Sequence, residues 1–210
     1  MTLYPVFLKL DALPVVIVGG GQVAASKLDG LIAAGARVTV VAPEVSPAIR
    51  LHATVLDDAG LPRAGSTAEG RCGWIERDFR ASDLDGARWV VAAATPEVNR
   101  AVAVAAEARG LFVNAVDDPT AATAYLGGVV RRGDVEIAIS TNGLAPALAG
   151  LLREALDAVL PDDLERWIDV AIAERTAHRR GRVPITERRP LLLRALDRLY
   201  RHSPEPRRAS

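Results

Sequence analysis

Val15-Val16-Ile17-Val18-Gly19-Gly20-Gly21-Gln22-Val23-Ala24-Ala25-Ser26-Lys27 runs from an apolar β-branched segment through three glycines into a helix-forming segment. A buried strand, a tight turn and a helix start in direct succession make the first half of a βαβ unit that can hold a dinucleotide phosphate. In this G-x-G-x-x-A pattern Gly19 permits the turn, Gly21 lets the backbone approach a pyrophosphate, and Ala24 is small enough for the helix to pack on the strand. The unpaired N–H groups and partial positive charge of the helix amino terminus attract an anion, so no lysine is needed there. A glycine turn alone is common. Here Arg37-Val38-Thr39-Val40-Val41-Ala42 supplies the second strand in order, which favours a nucleotide site over a merely structural βα turn.

The same rhythm extends outward, with β-branched runs alternating with alanine-rich amphipathic stretches over the first 120 residues. Strands are expected at 15–18, 38–41, 74–76, 89–93 and 112–115, with helices at 23–34, 46–56 and 96–109. Residues 58–73, rich in Gly, Pro, Ser and Ala, read as a surface insertion without periodicity. After Pro119 the pattern changes. Two β-prone runs, 123–130 and 135–139, are joined by Arg131-Arg132-Gly133-Asp134 as a hairpin. A helix starts near Pro146 and runs to about 160, and amphipathic helices follow at 164–179 and 187–201. The expected fold class is α/β: a parallel-sheet domain over 1–118, a hairpin region over 119–145 and a helical domain over 146–210.

Composition narrows the function. Half of the 210 residues are apolar, but no uninterrupted apolar run approaches the roughly 20 residues of a membrane helix, so no membrane partner is expected. The start Met1-Thr2-Leu3-Tyr4-Pro5 lacks the basic-then-apolar order of a secretory signal, and the single cysteine, Cys72, excludes an intrachain disulfide. Both fit a reducing cytoplasm, with Cys72 expected as an incidental loop thiol. Formal net charge is zero, and no nucleic-acid partner is expected, yet residues 174–210 hold eleven arginines against four acids. That cluster is either a solvated helix face or a set of guanidinium forks for a polyanionic ligand. His52, His178 and His202 have no metal-ligand spacing and are expected at the surface, so no resident metal site is expected.

Four motifs occur in order: Tyr4-Pro5-Val6-Phe7-Leu8, the turn Val18-Gly19-Gly20-Gly21-Gln22-Val23-Ala24, Asn114-Ala115-Val116-Asp117-Asp118-Pro119, and Ile139-Ser140-Thr141-Asn142-Gly143-Leu144-Ala145-Pro146. Together they resemble the precorrin-2 dehydrogenase family, which includes the amino-terminal part of siroheme synthase; the resemblance spans about residues 2–200. It implies a Rossmann-type domain, a hairpin that mediates dimerisation and a small helical domain. The implied activity is NAD-dependent oxidation of precorrin-2 to sirohydrochlorin, with Fe(II) insertion as a second, ferrochelatase (lyase) step in some members. A dehydrogenase-only enzyme and a non-enzymatic NAD(H)-sensing module are the alternatives.

Residue by residue, Asp117 matches the family's catalytic aspartate, although by itself it also reads as a turn former before Pro119, and Asp118 is its nearest competitor. Gln22, Val23, Pro43 and Glu44 match the family's nucleotide contacts, in addition to Gly19, Gly21 and Ala24. Glu44 is a late acidic residue for a ribose 2′-OH, and no arginine follows at once to welcome a 2′-phosphate, so NAD is expected rather than NADP. Ser140, Thr141, Asn142 and Gly143 lead from a strand into a helix, where they serve either a substrate carboxylate or a helix cap supplied by Asn142. A homodimer is implied by the resemblance alone.

Overall fold

The computed structural model describes residues 3–63, 72–116 and 118–201. The chain divides into two compact units, Met1–Leu126 and Gly127–Ser210.

The first unit is built on six parallel strands, β1 (Pro14–Val18), β2 (Arg37–Val41), β3 (Ala53–Leu56), β4 (Cys72–Ile75), β5 (Trp89–Ala92) and β6 (Phe112–Ala115). Their order across the sheet is β3-β4-β2-β1-β5-β6. Helices α1 (Gln22–Ala33), α2 (Pro47–Arg50) and α3 (Pro96–Glu107) connect them. Because strand side chains alternate between faces, Val15 and Ile17 join Val38, Val40, Trp89 and Val91 beneath Ala24, Leu28 and Leu31 of α1. Val16 and Val18 join Val90, Ala92 and Val113 on the opposite face, beneath Val102, Ala105 and Ala106 of α3. Both faces are covered, which explains the nearly continuous apolar runs in these strands. The chain steps from β1 to β2 in one direction and later from β5 to β6 in the other, so the order reverses between β1 and β5. A crevice opens at the carboxyl ends of strands where such a reversal occurs.

Two places in the first unit's sheet depart from the sequence expectation. The helix expected at 46–56 is only one turn long. Ser46 caps α2 by accepting the Ile49 N–H at 3.5 Å, and Ala53, Thr54, Val55 and Leu56 leave it to pair with β4, where the β-branched Thr54 and Val55 suit the sheet edge. Cys72 is likewise no loop thiol. It starts β4, opposite Val38 on one side and Ala53 on the other, with 5% of its surface exposed, and burial pushes its thiol pKa up to about 11.

In the second unit, β7 (Gly128–Arg132) and β8 (Val135–Ile139) form an antiparallel hairpin through Gly133, whose φ is +54°. The first β-prone run enters this hairpin only at Gly128. Thr123 and Ala124 both donate their N–H groups to Val113 O at 2.9 Å, and Thr123 Oγ1 accepts the Val113 N–H at 2.8 Å, which ties that part of the run to β6. Helices α4 (Pro146–Val159), α5 (Leu164–Arg180) and α6 (Ile185–Arg201) follow. Trp167 of α5 meets Tyr200 of α6 edge to face, with ring centroids 6.1 Å apart. His178 is not at the surface: it is buried, and Nε2 lies 3.2 Å from Glu174 Oε2 without hydrogen-bond geometry.

Candidate dinucleotide-binding site

The glycine turn sits at the carboxyl end of β1, beside the reversal in strand order. Gly19 has φ +118°, a conformation open to glycine and strained for other residues, and its N–H donates to Val41 O at 2.9 Å. A Cβ there would lie 2.2 Å from Ala93 O, so the turn packs directly on the connection leaving β5. Gly20 is as constrained from the other side: a Cβ would lie 1.9 Å from Glu44 O, and its own carbonyl accepts the Ser46 N–H at 2.8 Å. Gly21 differs from both. A Cβ at Gly21 would meet no protein atom within 4 Å, so packing does not require its missing side chain. The space it leaves faces the start of α1.

Gly21 is also the N-cap of α1, and no side chain caps that end; the first turn carries no acid. The opening N–H groups of the helix therefore lack a protein carboxylate or hydroxyl partner, which is the arrangement that receives a phosphate anion. Gln22 and Val23 are exposed at this end, whereas Ala24 is fully buried against the sheet, as its role in helix packing requires. Pro43 and Glu44 lie exposed on the loop leaving β2. That loop is held from below by the Trp74 indole N–H, which donates to Ala42 O at 2.9 Å. The turn, the open helix end and the β2 loop thus fit a dinucleotide.

The other wall is the connection 93–95 after β5. Ala93 N–H donates to Val18 O at 2.8 Å, Ala94 N–H donates to Asn99 Oδ1 at 2.9 Å, and Thr95 Oγ1 caps α3 by accepting the Val98 N–H at 3.5 Å. Next to it β6 ends, and Val116 N–H donates to Ala92 O at 2.9 Å. Asp117 lies outside the described residues. Its competitor Asp118 is engaged: Oδ1 accepts from Thr120 Oγ1 at 2.6 Å, Thr120 N–H at 3.1 Å and Ala121 N–H at 3.2 Å. The Thr120 hydroxyl and then the Ala121 amide hold the Asp118 carboxyl below its ordinary range, with Arg100 adding a favourable charge. Its Oδ1 thus closes a local turn.

In the second unit, Ser140 Oγ accepts the Asn142 N–H at 3.1 Å and Thr141 Oγ1 accepts the Ala145 N–H at 3.3 Å. Asn142 and Gly143 adopt left-handed φ values of +56° and +75°. The helix cap, one of the two readings left open for Asn142, is not made. Ala145 is the N-cap of α4 and no side chain caps it, because the left-handed pair turns the chain before the helix begins. Among the described residues no group of three or more His, Cys, Asp or Glu could hold a metal ion, and no helix is long and apolar enough to cross a membrane.

Asn99, Asn114 and Gly20 carry structure at this site that the motifs do not reveal. Asn114 of β6 donates from Nδ2 to Ala124 O at 3.0 Å, fastening the segment that follows Pro119. Asn99 has a sequence signal, since it occupies the apolar stripe of α3 with Val102 and Ala106 at helical spacing. Gly20 belongs to the glycine turn that the sequence displays, but the close approach of the β2 loop to it is a tertiary contact.

A wholly parallel sheet with a glycine turn and an open helix end at its strand-order reversal defines a Rossmann-type nucleotide-binding protein. Residues 6–128 match the family described as putative NAD(P)-binding, and the chain belongs to it. Residues 132–158 match the central region of sirohaem biosynthesis proteins. Siroheme synthase 1 of Aeromonas salmonicida (strain A449) is 40% identical over 166 residues, which are 78% of this chain and 32% of that protein. Siroheme synthase of Actinobacillus pleuropneumoniae serotype 3 (strain JL03) is 34% identical over 203 residues, 96% of this chain and 38% of that protein. The chain thus spans about a third of the length of these curated relatives. Among solved structures, that of SirC, precorrin-2 dehydrogenase, superposes with a TM-score of 0.70 at 26% identity, covering 96% of this chain and 93% of that one.

Proposed function

We propose that this chain oxidises precorrin-2 to sirohydrochlorin with NAD as the hydride acceptor. The observation that carries the reading is the open crevice at Gly21 and the uncapped start of α1, within a fold that covers 93% of a precorrin-2 dehydrogenase. The bound nicotinamide supplies the acceptor for the hydride. The chain's own task is to hold the dinucleotide, orient the tetrapyrrole and take the proton that leaves with the hydride, so that two hydrogens depart in all. Asp117 is the proposed base. It follows β6 by two residues in sequence, and its competitor Asp118 is committed to a turn. Gly19, Gly21, Gln22, Val23, Ala24, Pro43 and Glu44 are the proposed nucleotide contacts, and the exposed Glu44 carboxylate supports NAD over NADP by accepting from a ribose 2′-OH.

Ser140, Thr141, Asn142 and Gly143 are the proposed substrate contacts. The uncapped start of α4, next to two left-handed residues, supports them as a place for a substrate carboxylate. Fe(II) enters as a second substrate if the chain is bifunctional, and two pyrrole protons then need an acceptor. A homodimer is supported by the apolar side chains that the second unit leaves exposed, among them Leu144, Leu151 and Val159.

The test is anaerobic incubation with precorrin-2 and NAD, following NADH and sirohydrochlorin by absorbance, with Asp117→Ala in parallel. Turnover abolished by the substitution is the expected result. NADH binding without turnover in the wild type overturns the enzymatic reading in favour of a nucleotide sensor. Added Fe(II) then separates a dehydrogenase from a dehydrogenase that is also a chelatase.

A further inference from the structure

Asn99 is a buried polar residue, 4% exposed, on the face of α3 that presses on the sheet with Val102 and Ala106. An amide placed in an apolar stripe is unfavourable unless its polar atoms are bonded. Here Oδ1 accepts the Ala94 N–H at 2.9 Å. Ala94 is the middle residue of the connection between β5 and α3, at the reversal in strand order. The glycine turn leans on this same connection: a Cβ at Gly19 would lie 2.2 Å from Ala93 O and 2.9 Å from Ala94 N. The connection is therefore fixed from two sides, by Ala93 N–H on Val18 O of β1 and by Asn99 on Ala94.

We infer that Asn99 is a positioning residue of the nucleotide site, whose amide oxygen fixes the 93–95 connection against which the glycine turn is seated. The inference rests on the reading of the crevice as a dinucleotide site. Without an acceptor at position 99 the part-buried Ala94 N–H loses its partner, and the connection gains reason to rotate toward water. Gly19 has no room to stay in place while Ala93 and Ala94 move. The phosphate cradle loses its preformed shape, so nucleotide affinity falls first and the chemical step is affected less.

The experiment titrates NADH into the purified full chain by fluorescence, for the wild type, Asn99→Ala, Asn99→Asp and Val102→Ala, with thermal unfolding of each. Asn99→Ala weakens NADH binding about tenfold, while Asn99→Asp, which keeps an acceptor in place, stays within about threefold. Val102→Ala empties part of the same helix face without touching Ala94, so it loses thermal stability and keeps its affinity. In turnover, Asn99→Ala raises KM for NAD far more than it lowers kcat. If Asn99→Ala does not fold, Asn99→Ser takes its place with the same expected loss. Wild-type affinity in the folded Asn99 variant, or an equal loss in Val102→Ala, overturns the inference. A wild type that binds no NADH overturns the nucleotide reading, and the inference with it.

Discussion

In the unit Met1–Leu126 the central strands are buried on both faces: β5 is buried at every position and β1 at all but its first. In the unit Gly127–Ser210 β8 alternates between partly buried and exposed positions, β7 buries only Val130, and α4 and α6 each bury a single alanine, Ala149 and Ala195. The first unit holds its own core on two sides of one sheet. The second leaves Leu144, Leu148, Leu151, Val159, Ile172 and Leu193 exposed in the single chain. A sheet covered on both faces suits a site whose backbone must be fixed to fractions of an ångström, whereas exposed apolar side chains suit contact with another molecule.

That division predicts where substitutions will be felt. If the chemistry belongs to the first unit, Asp117→Ala lowers kcat by about a hundredfold to ten-thousandfold with little change in NADH affinity. Asp118→Ala, which removes only a turn, lowers it far less; steady-state assays of the pair decide between them, and equal losses would return Asp118 to candidacy.

The contrast in packing gives the next effect. Ile17→Ala, at a fully buried position of β1, costs about 2–5 kcal/mol of stability, whereas Leu151→Ala changes the stability of the isolated chain by less than about 0.5 kcal/mol. Denaturant titration reads both, and sedimentation of Leu151→Ala reads assembly. A large stability loss from Leu151→Ala in dilute protein would show that the second unit's surface is covered within one chain.

A smaller effect is expected at the turn itself. Gly20→Ala places a methyl against the Glu44 carbonyl and displaces the β2 loop, at a strain of about 1–3 kcal/mol. NADH affinity should fall correspondingly, and the preference for NAD over NADP should narrow as Glu44 moves. Unchanged selectivity in a variant with weakened binding would remove Glu44 from the ribose site.

The smallest effect concerns Cys72. Its folded-state pKa of about 11 stands above the ordinary 9.0, so the folded protein binds the proton more tightly than the unfolded chain. Stability from this group is complete below pH 9.0 and declines as pH rises toward about 11, on the order of 2 kcal/mol at the upper end. Cys72→Ala flattens that part of the pH–stability curve. Rapid labelling of native Cys72 by a thiol reagent at neutral pH would contradict its place in β4.

Much of this was legible in the chain. The strands at 15–18, 38–41 and 112–115 and all three long carboxyl-terminal helices follow from periodicity, because side chains that must face a core recur at the period of the element that carries them. Residues 46–56 misled because apolar residues such as Ile49, Ala53, Val55 and Leu56 satisfy either a helix or a covered edge strand, and only pairing with β4 chooses between them. At Asn142 the sequence left two readings open for a related reason: its propensity for caps is also a propensity for left-handed turns, and the backbone took the second course.

The sequence by itself determined the α/β class, the glycine turn at Gly19, Gly20 and Gly21 and the resemblance to precorrin-2 dehydrogenases, since each rests on neighbouring residues acting over one or two turns of chain. The tertiary structure alone decided that Cys72 is buried in a strand between Val38 and Ala53, and that the glycine turn is wedged between the 93–95 connection and the β2 loop. Those are matters of which atoms meet across the sheet, and such meetings are set by the packing of distant segments, to which local propensity is blind.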